Sequence, residues 1–208
     1  MNKEEYFLYL NSHNDDKRIV DMENYAQEFK VPIIQKMGLN FIVQMIKVSK
    51  CQNILEIGTA IGYSAINFAL VNNDINVTTI ERDELMVQLA LQNIKRFDLQ
   101  SRIKVLYHDA KTFDEKQLGI FDLLFIDAAK SQYQAFFEKY TPCLKKGSIV
   151  ITDNLIFHDL VFETEIKSRN TKQLVNKIKN YNEWLKNNEL FDTMFYNIGD
   201  GISVSIKK

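Results

Sequence analysis

The sequence predicts an α/β fold in which a parallel sheet carries helices on both faces and a helical cap precedes it. From Asn53 onward, short β-branched runs alternate with longer amphipathic stretches, in the order NILEI, NVTTI, IKVLY, FDLLFI and SIVIT. Residues 1–50 show helical periodicity and no strand pattern. The 208 residues include only 7 glycines and 2 prolines, so tight turns are few and regular elements must dominate. One hydrophobic core suffices at this length, and residues 1–208 are expected to form one domain, a cap over 1–50 and an α/β core over 51–208.

Within the cap, MENYAQEFK reads as a helix that stops at Val31 before Pro32, and GLNFIVQMIKV resumes the helix after Gly38. NILEI is followed by a helix from about Tyr63, and NVTTI by one from about Asp83. That second helix, DELMVQLALQNIKRF, opens with acids and closes on Lys95 and Arg96, matching the helix dipole, and Leu85, Leu89, Ile94 and Phe97 supply its apolar positions. IKVLY, FDLLFI and SIVIT complete the parallel strands. Beyond Asp153 come a loop with His158 and a polar helix around NTKQLVNKIKNYNEWLKNN. FDTMFYNI and ISVSI, joined by GDG, close the chain as a β-hairpin.

Hydrophobic residues at 46%, charged at 25% and aromatic at 12% describe a globular chain rather than a disordered or repetitive one. Lysine plus arginine, 26, against aspartate plus glutamate, 27, gives a net charge of -1, which argues against a surface wholly devoted to nucleic acid. The opening MNKEEYFLYLNSHNDDKR has acids where a signal peptide needs a basic start, and no segment approaches the roughly 20 apolar residues of a membrane span. A cytoplasmic protein without membrane partners is expected. Cys51 and Cys143 stand far apart with no CxxC or Cys/His spacing, so they read as packing thiols rather than a disulfide or zinc site.

The first chemical signal is NILEIGTAIGYS. Glu56 ends a buried strand, Gly58 and Gly62 lie in the turn, and Ser64 opens a helix at the sheet edge where open α/β folds bind ligands. Glycines let a ligand approach the backbone, a helix start offers free N–H groups, and the acid suits an amino group or cation rather than a pyrophosphate. Glu81 ends the next strand, where a carboxylate can accept from both ribose hydroxyls. A dinucleotide site is disfavoured because the turn reads G-T-A-I-G, with Ala60 in place of the middle glycine of GxGxxG. In YHDA, Asp109 can meet a purine amino group while Ala110 leaves room for its plane; Asp109 reads equally well as a helix cap.

The second signal is FDLLFIDAAK with SIVITDN. Asp127 and Lys130 follow the fourth strand, and Asp153 and Asn154 follow the fifth, all at the same sheet edge. Two carboxylates and an amide oxygen make a hard oxygen set suited to Mg²⁺ or Mn²⁺. A lysine beside such an ion has its neutral form favoured, which suits a general base.

Together LEIGTAIGYS, TIERD, FIDAAKSQY, ITDN and IGDGI resemble the metal-dependent, S-adenosylmethionine-dependent O-methyltransferases, the group of catechol and caffeoyl-CoA O-methyltransferases and bacterial tRNA 5-hydroxyuridine methyltransferases. The resemblance runs from about Pro32 to Ile206 and implies the class I methyltransferase fold, a seven-stranded Rossmann-like sheet whose last strand is antiparallel. It further implies S-adenosylmethionine held by Glu56, Gly58 and Ser64 at the methionine end, Glu81 at the ribose, and Asp109 and Ala110 at the adenine, with Ile34, Thr59 and Asp127 also in contact. Asp127, Asp153 and Asn154 would hold Mg²⁺ or Mn²⁺, and Lys130, with Asp127, would be catalytic. One departure lies upstream: many relatives carry an acid and a glycine after the PI segment, where this chain has Lys36, Met37 and Gly38.

Such a site needs a substrate with two adjacent oxygens. A wobble 5-hydroxyuridine of tRNA offers its 5-hydroxyl and 4-carbonyl, and a catechol offers its vicinal pair. The compact chain and the basic stretch with Lys167, Arg169, Lys172, Lys177 and Lys179 favour tRNA, giving 5-methoxyuridine. A small catechol or caffeoyl-CoA-like phenol is the alternative, and a noncatalytic nucleoside- or RNA-binding module is the rival from another class. A homodimer is expected through apolar positions on the N-terminal helices.

Overall fold

The structure, a computed structural model, describes residues 1–11 and 16–208; residues 12–15, inside the opening MNKEEYFLYLNSHNDDKR segment, lie outside the described residues. The cap comprises α1 (Lys3–Leu10), α2 (Lys17–Phe29) and α3 (Lys36–Ser49). Asn2 caps α1 by accepting from the Glu5 N–H, while the Glu5 carboxylate accepts from the Asn2 N–H. The helices α2 and α3 each end on a lysine in left-handed backbone, Lys30 and Lys50. Gly38 lies inside α3, which starts two residues earlier than the sequence suggests. A methyl group on Gly38 would sit 3.3 Å from the Ile34 side chain, so this glycine serves close packing rather than a break.

From there the chain alternates as expected: β1 (Asn53–Ile57), α4 (Tyr63–Ala69), β2 (Asn76–Glu81), α5 (Glu84–Arg96), β3 (Ile103–Tyr107), β4 (Phe121–Ile126), α6 (Tyr133–Tyr140), β5 (Leu144–Thr152), α7 (Arg169–Lys186), β6 (Phe191–Tyr196) and β7 (Ile202–Lys207). The seven strands form one sheet in the order β3-β2-β1-β4-β5-β7-β6. Strands β1 to β5 pair in parallel, and β7 runs antiparallel between β5 and β6, which is the sheet the resemblance implies. Because β2 and β4 flank β1 on opposite sides, the strand order reverses there, and a crevice opens at the carboxyl ends of β1 and β4.

Alternation along the strands feeds two cores. Ile54, Leu123, Phe125 and Ile151 face the cap and α4, packing with Met22, Ile42, Phe68 and Ile94. Leu55, Leu124, Ile126 and Val150 face α6 and α7, packing with Phe136, Phe137, Tyr181 and Leu185. Two expectations are corrected. Leu85 of α5 is 58% exposed, and the buried positions are Val87, Ala90 and Ile94. The helix α6, YQAFFEKY, has no counterpart in the sequence reading. Cys51 and Cys143 are both buried and free. Among the described residues no helix is long and apolar enough to cross a membrane.

Candidate active site

The turn after β1 is built around Gly58, whose φ is 99°, a backbone region that favours glycine. A Cβ there would fall on the carbonyl oxygen of Asp127, so the turns after β1 and β4 touch through their backbones. Glu81, at the end of β2, organises this turn. One carboxylate oxygen accepts from the N–H groups of Thr59 and Ala60 at 3.1 and 3.0 Å, the other from Arg82 and Asp83 at 2.8 and 2.9 Å. Four N–H groups fill the lone-pair capacity of a carboxylate. A ligand hydroxyl at Glu81 therefore has to displace one of them.

Glu56 is placed differently from its neighbours. It is fully buried in β1, register partner of Thr79 in β2, and it accepts from the hydroxyls of Ser64 and, at 2.6 Å, Thr79. Thr79 also meets the Thr59 hydroxyl at 2.6 Å. Burial pushes the Glu56 carboxyl up to about 8 despite those two hydrogen bonds, which act in the opposite direction. Glu56 thus lies beneath the turn and holds Ser64, rather than facing the cleft.

At the other half of the crevice, Asp127 follows β4 and Asp153 follows β5. Their N–H groups extend the ladder to Ile57 at 3.0 Å and Ile126 at 3.3 Å. Asp153 is buried, and its oxygens accept from the backbone and side-chain N–H of Asn154, both at 2.7 Å. Asn154 reaches this position in left-handed backbone, φ 64°. Burial, and then the charge of Asp127, push Asp153 up to about 7; burial likewise raises Asp127, against the pull of Lys130. Lys130 places its Nζ 5.7 Å from the centre of the Phe157 ring. Among the described residues no group of three or more His, Cys, Asp or Glu is arranged to hold a metal.

Between the halves lies a cleft of about 830 Å³. Ile34, Gly58, Thr59, Ser64, Glu81, Asp109, Ala110, Asp127 and Lys130 line it, whereas Glu56, Asp153 and Asn154 do not. The Asp109 carboxylate accepts from the Lys111 N–H at 2.8 Å and lies 3.8 Å from Arg82, and the Ala110 carbonyl accepts from Tyr140 at 2.6 Å. Lys36, after the PI segment, meets Glu23 of α2 at 3.7 Å, and Glu23 also accepts from Tyr63 at 2.5 Å. Sequence reasoning missed the cap wall from Phe29 to Ile33, the buried Thr79, and Asp200, whose carboxylate accepts from the His158 N–H at 2.5 Å. Thr79 had a signal, a hydroxyl within the apolar run of β2. Asp200 in GDG was read only as turn chemistry. None of the five basic residues from Lys167 to Lys179 lines the cleft.

The profile of the O-methyltransferase family matches residues 12–208. The catechol O-methyltransferase of Niastella koreensis is 28% identical over 93% of this chain and 91% of its own length. A crystal structure of a candidate caffeoyl-CoA O-methyltransferase from Staphylococcus aureus is 40% identical, covers 98% of both chains and superposes with a TM-score of 0.93. An O-methyltransferase of Bacillus cereus, crystallised with S-adenosylhomocysteine, shares the fold at 23% identity, with a TM-score of 0.83 over 98% of this chain and 96% of that one. The family model thus spans nearly the whole length, cleft and strand-end acids included, and the chain belongs to the O-methyltransferase family.

Proposed function

We propose that residues 1–208 act as one S-adenosylmethionine-dependent O-methyltransferase domain on a small phenol with two vicinal oxygens, with a divalent cation at Asp127, Asp153 and Asn154. The observation that carries this reading is the pair of repelling acids at the ends of adjacent strands, set beside Lys130 and the cleft. An all-oxygen set of two carboxylates and an amide fits Mg²⁺ or Mn²⁺. The side-chain N–H of Asn154 is given to Asp153, which leaves its amide oxygen as the ligand atom.

The cation, when bound, supplies positive charge that favours the ionised form of a neighbouring hydroxyl. The cofactor supplies a methyl group on a cationic sulfur. The chain's own groups do the rest. Glu81 is fixed by four N–H bonds at the wall where a ribose would lie, and Asp109 and Ala110 bound the far end. Lys130 would take the hydroxyl proton at Nζ, which lies 5.7 Å from the centre of the Phe157 ring. Cap residues Phe29 to Ile34 close the outer wall, so the cap belongs to the working site.

The small-phenol reading is preferred to tRNA. It is supported by relatives named for catechol and caffeoyl-CoA. The tRNA reading leaned on Lys167, Arg169, Lys172, Lys177 and Lys179; all are exposed, the last four on the solvated face of α7, and none lines the cleft. A homodimer belongs to the same proposal, supported by Tyr6, Phe7, Tyr9 and Leu10 exposed together on α1.

The test is methyl transfer to a catechol with and without EDTA. Chelation is expected to abolish turnover, and Asp153→Ala to lower it by more than about 100-fold, beyond the range known for partners that only support a ligand, while S-adenosylhomocysteine still binds. Full activity in EDTA overturns the cation. If catechols are inert and 5-hydroxyuridine accumulates in tRNA of a strain lacking this protein, the tRNA reading replaces the phenol.

A further inference from the structure

Four buried side-chain atoms among the described residues lack a hydrogen-bond partner: Tyr133 Oη, Ser203 Oγ, Asp200 Oδ2 and Asn182 Oδ1. Folded proteins leave few such atoms, and each needs a cause. Asn182 belongs to a separate outer groove beside Val161 and Lys179. The other three lie about the carboxyl end of β5, where Asp153 follows. Ser203 of β7 lies directly opposite Thr152, the residue before Asp153. Thr152 bonds the Tyr181 hydroxyl at 2.8 Å, and the Tyr181 ring lies 5.5 Å from that of Tyr133. Asp200 reaches the same end of the sheet, its backbone carbonyl accepting from Ile156 at 3.0 Å and its Oδ1 from the His158 N–H, while Oδ2 lies 3.9 Å from the His158 Nδ1, beyond hydrogen-bond distance.

We propose that Tyr133 is a positioning residue for the cation: its hydroxyl, on the buried side of Asp127 and Asp153, donates to those carboxylates through water shared with Ser203 and Asp200. The inference rests on the cation site proposed above. Tyr133 opens α6, immediately after the Asp127–Lys130 turn, and is 1% exposed, so its hydroxyl has no route to bulk solvent. Burial, followed by the charges of Asp127 and Asp153, raises its pKa well above the ordinary range, which keeps the group a donor. Ligating carboxylates are themselves hydrogen-bonded in working metal sites. Asp153 already receives two N–H groups from Asn154. Tyr133 supplies a donor from the opposite side, and one buried water commonly satisfies about three such atoms.

Tyr133→Phe removes one oxygen and keeps the ring packing. Mn²⁺ titration, followed by the electron paramagnetic resonance of the free ion, is expected to show affinity about 10- to 100-fold weaker than wild type. S-adenosylhomocysteine affinity should stay within about twofold, and the stability without metal should fall by no more than the loss of one hydrogen bond, about 1 kcal/mol. Ser203→Ala should shift Mn²⁺ affinity in the same direction by less. Unchanged Mn²⁺ affinity in Tyr133→Phe overturns the proposal, as does a parallel loss of Mn²⁺ binding, cofactor-product binding and melting temperature, which marks a packing role. Wild-type protein that takes up no Mn²⁺ overturns the cation reading itself, and this inference with it.

Discussion

Glu56 illustrates what a single buried acid does to the folded state. Its carboxyl, pushed up to about 8, keeps its proton at neutral pH, while the unfolded chain releases that proton near the ordinary 4.5. Between those values the folded protein binds more protons than the unfolded one, so stability is greatest below about 4.5 and declines as the pH rises towards 8. The slope from one such group is about 1 kcal/mol per pH unit. Asp153, raised to about 7, adds in the same direction without metal. Urea unfolding of the metal-free protein between pH 5 and 8 should therefore show falling stability, with a shallower fall in Glu56→Gln. An identical slope in both proteins would sink this account.

At the scale of the element, α5 separates a helix's apolar pattern from its buried stripe. Ile94 is 1% exposed in the cap-side core, whereas Leu85 stands out in solvent. Ile94→Ala should cost about 2–5 kcal/mol, and Leu85→Gln should stay within about 0.5 kcal/mol, measured by denaturant midpoint. Comparable losses at the two positions would contradict this placement. The same contrast explains what was legible beforehand. Strands β2, β4 and β5 declared themselves as β-branched or apolar runs leading into acids, and the strand-end positions of Glu81, Asp127 and Asp153 came with them. The helix α6 did not, because eight residues rich in aromatics carry too little periodicity to tell helix from strand. Gly38 looked like a break because sequence alone cannot show the side chains it packs against. The polar group of Thr152, Ser203, Tyr133 and Tyr181 was invisible for a deeper reason: it exists only once β7 has paired antiparallel with β5 in one register.

For the whole molecule, the exposed apolar side chains on α1 predict association. Sedimentation should give twice the chain mass, and Tyr9→Lys with Leu10→Lys should halve it. A monomeric wild type would refute the pairing. The contact between Gly58 and the Asp127 carbonyl has a broader consequence. It rivets the turn after β1 to the turn after β4, so neither can be lengthened or tilted alone. Retargeting such a scaffold to a new substrate must then proceed by rewriting its outer loops and cap, leaving that rivet in place.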